Sequence, residues 1–69
     1  MKTTQRYERR LAEAQEGDLI SVLTEYKAEI GQETARMRAS HNAFLRTCCQ
    51  QTIDQLTAEK RAIEEELVG

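Results

Sequence analysis

The sequence predicts an all-α protein, an antiparallel helical hairpin that dimerises into a four-helix bundle. Three observations lead to this fold. The chain of 69 residues has no proline, three glycines and eight alanines, a composition typical of helix almost throughout. Apolar residues recur three and four positions apart along most of its length. Charged residues are grouped in blocks of alternating sign. At this length we expect residues 1–69 to form a single small domain.

The first helix is predicted over about 4–30, with a kink near 17–18. Its early apolar side chains share one side: Tyr7, Leu11 and Ala14. Continuing that phase would place Asp18 in the apolar stripe. We therefore expect the helix to kink or restart at Gly17 and Asp18, with Asp18 available as an N-cap.

A turn at about 31–33 and a second helix over about 34–67 are predicted next. Gly31 follows the apolar series that ends at Ile30, and glycine is the usual residue just past a helix end. Thr34 can then cap the following helix. The alternative is one uninterrupted helix from Asp18 to Leu67, because a single internal glycine costs only about 1 kcal/mol.

The order of the charges favours the hairpin. Residues 1–10 and 36–53 are basic, whereas residues 11–35 and 54–69 are acidic. The predicted turn sets every block beside one of opposite sign. A turn at 40–42 would instead lay acidic residues against the acidic tail, so it is the weaker interpretation. Exposed pairs contribute only about 0.3–0.5 kcal/mol each, so they select register more than they stabilise the fold.

The second half of the chain also has a continuous apolar stripe. Its members are Phe44, Leu45, Cys48, Cys49, Thr52, Ile53, Leu56, Ile63 and Leu67. In the first half the stripe spreads to about 160°, which is wider than a two-stranded seam needs. So short a chain has too little apolar area to fold alone. We therefore predict a homodimer core or a partner-binding face on the following residues: Leu19, Ile20, Val22, Leu23, Tyr26, Ile30 and Phe44.

Chemistry-bearing motifs are scarce, and the sequence predicts neither an enzyme nor a metal or cofactor site. His41 is the only histidine, and Cys48 lies seven residues away, about 10 Å along a helix, too far for a catalytic pair. We expect Cys48 to be a buried reduced thiol and Cys49 to lie near the boundary. The acidic run of the tail is interpreted as a solvated helix face: Glu59, Glu64, Glu65 and Glu66.

Three arginines lie in the block that lacks acids: Arg36, Arg38 and Arg46. They could bind phosphate, but we expect them to pair across the hairpin with Glu25, Glu29 and Glu33. The formal net charge of −2 argues against nucleic acid and anionic membranes as partners. The sequence has no long apolar run and no signal-peptide core, which predicts a cytoplasmic protein without a membrane segment.

These observations predict a non-enzymatic small helical protein that binds and inhibits or sequesters a partner protein. The partner we expect is a regulator such as a transcription activator, which would make this chain an anti-activator. Alternatives are a secretion-type chaperone for a small hydrophobic subunit, and a nucleic-acid-binding regulator that uses the three arginines. In length and helical character the chain resembles small helical hairpin dimers, secretion chaperones and the small regulators of phages and other mobile elements. That resemblance is one of architecture and implies no particular site residues.

Overall fold

A computed structural model describes residues 3–69, and within them the chain is helical apart from its turns and ends. Helix α1 spans Gln5–Glu13, a wide π-type turn spans Ala14–Asp18, α2 spans Leu19–Ala39 and α3 spans Ala43–Leu67. The molecule measures 41 × 21 × 20 Å, since α2 and α3 lie side by side along its long axis. The predicted all-α class is confirmed.

The first change of direction occurs at Gly17, where the sequence predicts a kink. Gly17 has φ 109° and ψ 1°, a left-handed conformation that residues with a Cβ seldom adopt. Asp18 precedes α2, but its side chain makes no capping hydrogen bond, so that part of the prediction is wrong. The turn sends α1 back along the hairpin instead of continuing the line of α2.

The predicted turn at 31–33 is wrong, because α2 runs straight through Gly31. Thr34 does not cap a new helix; its hydroxyl donates to the carbonyl oxygen of Ile30 at 2.7 Å within α2. Ile30 and Met37 are seven residues apart and lie on the same side of the helix. Continuing α2 therefore keeps the apolar stripe intact, at the modest cost of one internal glycine.

The hairpin turns instead at residues 40–42, the position that the charge order disfavoured. The Asn42 side chain caps α3 by accepting a hydrogen bond from the Leu45 amide at 3.1 Å. Ser40 Oγ accepts a hydrogen bond from the Asn42 amide at 3.1 Å. These side chains satisfy backbone donors that would otherwise lack partners where α3 begins.

This turn brings two acidic segments together, and α1 supplies the compensating charge. Arg10 of α1 lies 2.6 Å from Glu29 and 3.2 Å from Glu25, both on α2. Arg6 lies 2.7 Å from Glu59 on α3. The prediction from the charge blocks assumed that the chain folds into two antiparallel halves. The basic residues at the start of the chain instead lie on a third helix, α1, which contacts the acidic residues of both α2 and α3.

Helix α1 covers only one half of the hairpin, which we call the base: α1, the wide turn, and residues 19–29 and 54–67. The other half, which we call the arm, consists of residues 30–53 and has two helices joined at the tip, residues 40–42. The buried side chains lie in the base, with Cys49 of the arm as the one exception among the described residues. They are Arg10, Ala14, Val22, Tyr26, Leu56, Glu59 and Ile63.

No helix within residues 3–69 is both long and apolar enough to cross a bilayer. Helices α2 and α3 have the length, but charged side chains recur along each of them. In the same part of the chain, no three His, Cys, Asp or Glu side chains converge as metal ligands would.

Candidate functional site

Glu59 is the centre of a buried polar cluster in the base. Its carboxylate is fully buried and accepts hydrogen bonds from four side chains. Arg6 donates twice, from Nε at 2.9 Å and from Nη2 at 2.7 Å. The Tyr26 hydroxyl donates at 2.9 Å, Gln55 Nε2 at 2.9 Å and Thr4 Oγ1 at 3.2 Å. The cluster joins all three helices through one side chain.

Arg10 forms a second buried group beside it. Its guanidinium donates to both carboxylate oxygens of Glu29, at 2.6 and 3.0 Å, in the bidentate geometry that suits arginine. Its Nε lies 3.2 Å from Glu25 as an ion-pair contact without hydrogen-bond geometry. The guanidinium carbon also lies 4.6 Å from the centre of the Tyr26 ring, within cation–π range.

The protonation of these groups follows from their contacts. Burial opposes ionisation of Glu59, but hydrogen bonds from Arg6, Gln55 and Tyr26 outweigh it and lower the pKa of Glu59 to about 2. The hydrogen bond from Arg10 lowers the pKa of Glu29. Burial, together with the hydrogen bond to Glu59, raises the pKa of the Tyr26 hydroxyl. The carboxylates are therefore charged and the phenol neutral at pH 7.

This cluster fastens α1 to the hairpin. Thr4 shows the coupling, because its hydroxyl oxygen caps α1 by accepting from the Tyr7 amide at 3.0 Å and the same hydroxyl donates to Glu59. The oxygens of Glu59 are occupied by donors from within the chain. The arrangement suits a structural role, in which a buried carboxylate selects one position for the docked helix.

The sequence interpretation of Glu59 as part of a solvated acidic face is wrong. Glu64, Glu65 and Glu66 are partly or fully exposed, but Glu59 is fully buried. The signal was present in the spacing, because Glu59 lies three residues after Leu56 and four before Ile63, within the apolar stripe. A charged residue at such a position calls for a buried partner.

The predicted dimer or partner face is divided by the fold. Val22 and Tyr26 are fully buried within the base, so they are unavailable to another chain. The partly buried members are Leu19, Leu23 and Ile30. Ile20 is 82% exposed and Phe44 is 78% exposed, but they start α2 and α3 respectively and lie at opposite ends of the hairpin.

The three arginines are also placed differently from the prediction. Arg36 pairs with Glu33 of its own helix at 3.1 Å, not across the hairpin. Glu25 and Glu29 are engaged by Arg10 instead. Arg38 and Arg46 are exposed near the tip and form no ion pair with any residue from 3 to 69.

The cysteines exchange the roles that the sequence predicts. Cys49 is buried between the arm helices, and burial raises the pKa of its thiol. Cys48 is only partly buried, and both thiols are free. Cys49 lies on the side of α3 that faces α2, so Cys48, the preceding residue, lies toward the flank of α3.

Comparison with protein-family models, curated proteins and solved structures finds no match for this chain.

The arm has the most conspicuous of these surfaces. Phe44 and Cys48 are spaced so that they lie on the same flank of α3 as Gln55 and Glu59, the flank that faces α1 in the base. Because α1 begins at Gln5, level with Glu59, no helix among the described residues continues along this flank. Phe44 is left mostly in solvent there.

Proposed function

We propose that this chain is a non-enzymatic helical interaction protein whose arm is covered by another protein chain in its working state. The supporting observation is the contrast along one flank of α3. In the base that flank is covered by α1 and Glu59 is fully buried, whereas in the arm Phe44 remains 78% exposed. Aromatic residues are enriched at protein interfaces, and Leu45, next to Phe44, is also 38% exposed.

The proposed assembly is a four-helix bundle, in which two further helices cover the two helices of the arm. A second copy of the chain would supply such helices, as would a helical hairpin of another protein. A different protein bound there loses access to the surface that the arm covers, whereas a second copy makes the arm a dimer interface and leaves the regulator to bind the assembled dimer. We propose that the biological consequence is inhibition or sequestration of a regulator such as a transcription activator. The free thiols are compatible with a proposed cytoplasmic setting.

Site-specific photocrosslinking in the native cell tests this function. A photoreactive phenylalanine analogue at position 44 keeps the ring of Phe44, and the exposure of this position leaves room for the added photoreactive group. The matched control places the same analogue at Ala35, an exposed position of the same arm on α2. We expect a discrete crosslinked species from position 44 and none from position 35.

The mass of the crosslinked species identifies the partner. Twice the chain mass of 7.9 kDa indicates a second copy, and any other discrete mass indicates a different protein. A variant with Phe44→Glu should lose the interaction and Ala35→Glu should keep it, with both retaining the helical circular-dichroism spectrum. Equal crosslinking from the two positions, or none from either, would contradict the proposal.

A nucleic-acid regulator is the second candidate, and one observation favours it. Arg38 and Arg46 come from different helices and are both exposed beside the tip, where phosphate could reach them. Titration of labelled duplex DNA and single-stranded RNA tests it. Binding that weakens steeply with salt and disappears in Arg38→Glu/Arg46→Glu would support this candidate, and no binding at low salt would exclude it.

A further inference from the structure

Charge is segregated along the long axis of the molecule. The arm carries three arginines and a single acid, Glu33, whereas the rest of the chain carries seven bases and eleven acids. Near the tip, Arg38 and Arg46 lack ion-pair partners within residues 3–69. The excess of acid is strongest at the opposite end, where the wide turn and the last turn of α3 meet.

We call that opposite end of the hairpin the open end. Four of its acids form no ion pair with any described residue: Glu16, Asp18, Glu65 and Glu66. Glu13 and Glu64 pair only with neighbours on their own helices, Arg9 and Lys60. The open end is therefore an acidic surface, just as the tip is a basic one.

Both ends also expose apolar side chains. At the tip, Phe44 is 78% exposed and Leu45 is 38% exposed. At the open end, Ile20 is 82% exposed, Val68 is 73% exposed and Leu67 is 36% exposed. Each end thus combines apolar surface with unpaired charge, and the charge is of opposite sign at the two ends.

We propose that the protein that covers the arm is a second copy of this chain, placed antiparallel so that the tip of each copy lies against the open end of the other. This inference rests on the proposed function and names its partner. The two ends of one molecule cannot neutralise each other, because α2 of 21 residues spans about 30 Å, several times the screening length of about 8 Å at physiological salt.

Symmetry favours this arrangement over the others. In an antiparallel pair related by a two-fold axis, both basic tips and both acidic ends are matched at once. A parallel pair would set tip against tip and acid against acid. A head-to-tail chain would match one tip and one end at each contact and leave the terminal copies unmatched, so it would grow rather than close.

The test reverses the charge of each end separately and then together, in the full-length chain. Arg38→Glu/Arg46→Glu makes the tip acidic. Glu16→Arg/Glu65→Arg/Glu66→Arg replaces three of the four unpaired acids of the open end, which are all exposed, and makes that end basic. Sedimentation equilibrium and native mass spectrometry measure the assembly. The wild-type chain should form a species of two copies, and each single-end variant should associate about tenfold more weakly or worse. Lys27→Glu, an exposed charge reversal at mid-length, is the control and should change association little.

The combined five-substitution variant decides the geometry, because its tip is acidic and its open end is basic, so the two ends are again opposite in sign and its association should return. Recovery is specific to contact between a tip and an open end. In a parallel pair each end would meet the same end of the other copy, so like charges would face each other in the wild-type chain and in every variant, and no variant would lose or regain association. A wild-type monomer, open-ended oligomers, or a combined variant that stays apart would each overturn the proposal. If the wild-type chain is monomeric but position 44 crosslinks to a different protein, the second copy is wrong while the proposed function stands.

Discussion

The base and the arm are built from the same two helices, yet only the base encloses a core. Among the described residues, seven side chains are buried in the base and one, Cys49, in the arm. The difference is the third helix, which α1 supplies to one half alone. Two helices bury one side of each apolar stripe, and a further surface is needed to cover the flanks.

The manner in which α1 is held is as informative as its presence. Apolar contacts from Tyr7 and Leu11 pack on the core cluster, but the fully buried contacts include the guanidinium of Arg10 and the carboxylate of Glu59. Apolar packing by itself tolerates sliding, whereas a buried ion pair is costly in every position except the one that satisfies it. The base is therefore held in one arrangement by specific contacts, whereas the flank of the arm leaves Phe44 exposed.

Removal of the Glu59 carboxylate should have the largest effect on this contrast. Glu59→Ala leaves Tyr26 and Gln55 without their acceptor and removes the attachment of Arg6, so we expect a loss of about 3 kcal/mol in the free energy of unfolding. Glu65→Ala, an exposed acid of the same helix, should change it by about 0.5 kcal/mol or less. Urea unfolding followed by circular dichroism measures both. Equal small losses would mean that the base does not depend on this cluster.

Acid should weaken the base through the same carboxylate. The pKa of Glu59 is about 2 in the folded chain, below the ordinary value of about 4.3 expected after unfolding. A depressed folded-state pKa stabilises the fold above pH 4.3, and this contribution is lost as pH falls from about 4.5 toward 2. The lowered pKa of Glu29 acts in the same direction. The midpoint of urea unfolding should fall as pH is lowered over this range. The midpoint of the Glu59→Gln variant should fall less steeply than that of the wild-type chain.

The Tyr26 hydroxyl offers a narrower test of the cluster. Tyr26→Phe keeps the ring beneath Arg10 but deletes one donor to Glu59, which should cost about 1–2 kcal/mol because the acceptor is charged and buried. Tyr7→Phe is the matched control, since Tyr7 also packs on the core but no hydrogen bond of its hydroxyl is seen within residues 3–69. Chemical denaturation measures the free energy of unfolding of both variants. Equal losses would mean that the hydrogen bond from Tyr26 to Glu59 does not stabilise the base.

The sequence predicted the parts of the fold that depend on local preference. The helical class follows from composition and spacing, and the kink follows from Gly17 next to a phase that would bury Asp18. The position of the hairpin turn did not follow. Gly31 and Asn42 are both credible ends for a helix, and the charges favoured the wrong one because Arg6 and Arg10 reach acids that are distant in sequence.

The buried cluster was only half visible in the sequence. The position of Glu59 within the apolar stripe of α3 is enough to predict that its side chain is buried. Its donors could not be found in the same way, since Thr4 and Arg6 belong to another helix whose direction depends on the turn at Gly17. Burial of a charged side chain is thus foreseeable from spacing, but the identity of its partner requires the tertiary arrangement.

The smallest expected effect concerns two of the three glycines, Gly17 and Gly31, and it tests where the chain reverses and where the helix continues. Gly31 is an exposed residue inside α2, and a Cβ there would meet no atom within 4 Å. Gly31→Ala should therefore stabilise the chain by about 0.5–1 kcal/mol in thermal or urea unfolding, through better helix propensity and a less flexible unfolded chain. Gly17→Ala should destabilise it by about 1 kcal/mol or more, although the space around Gly17 is equally open, because φ is +109° there.

The two substitutions together locate the turn. A gain in the free energy of unfolding at position 31 and a loss at position 17 would mean that the chain reverses at Gly17 and that the helix continues through Gly31. A loss at Gly31 would instead favour a turn there, and the arm as defined would not exist.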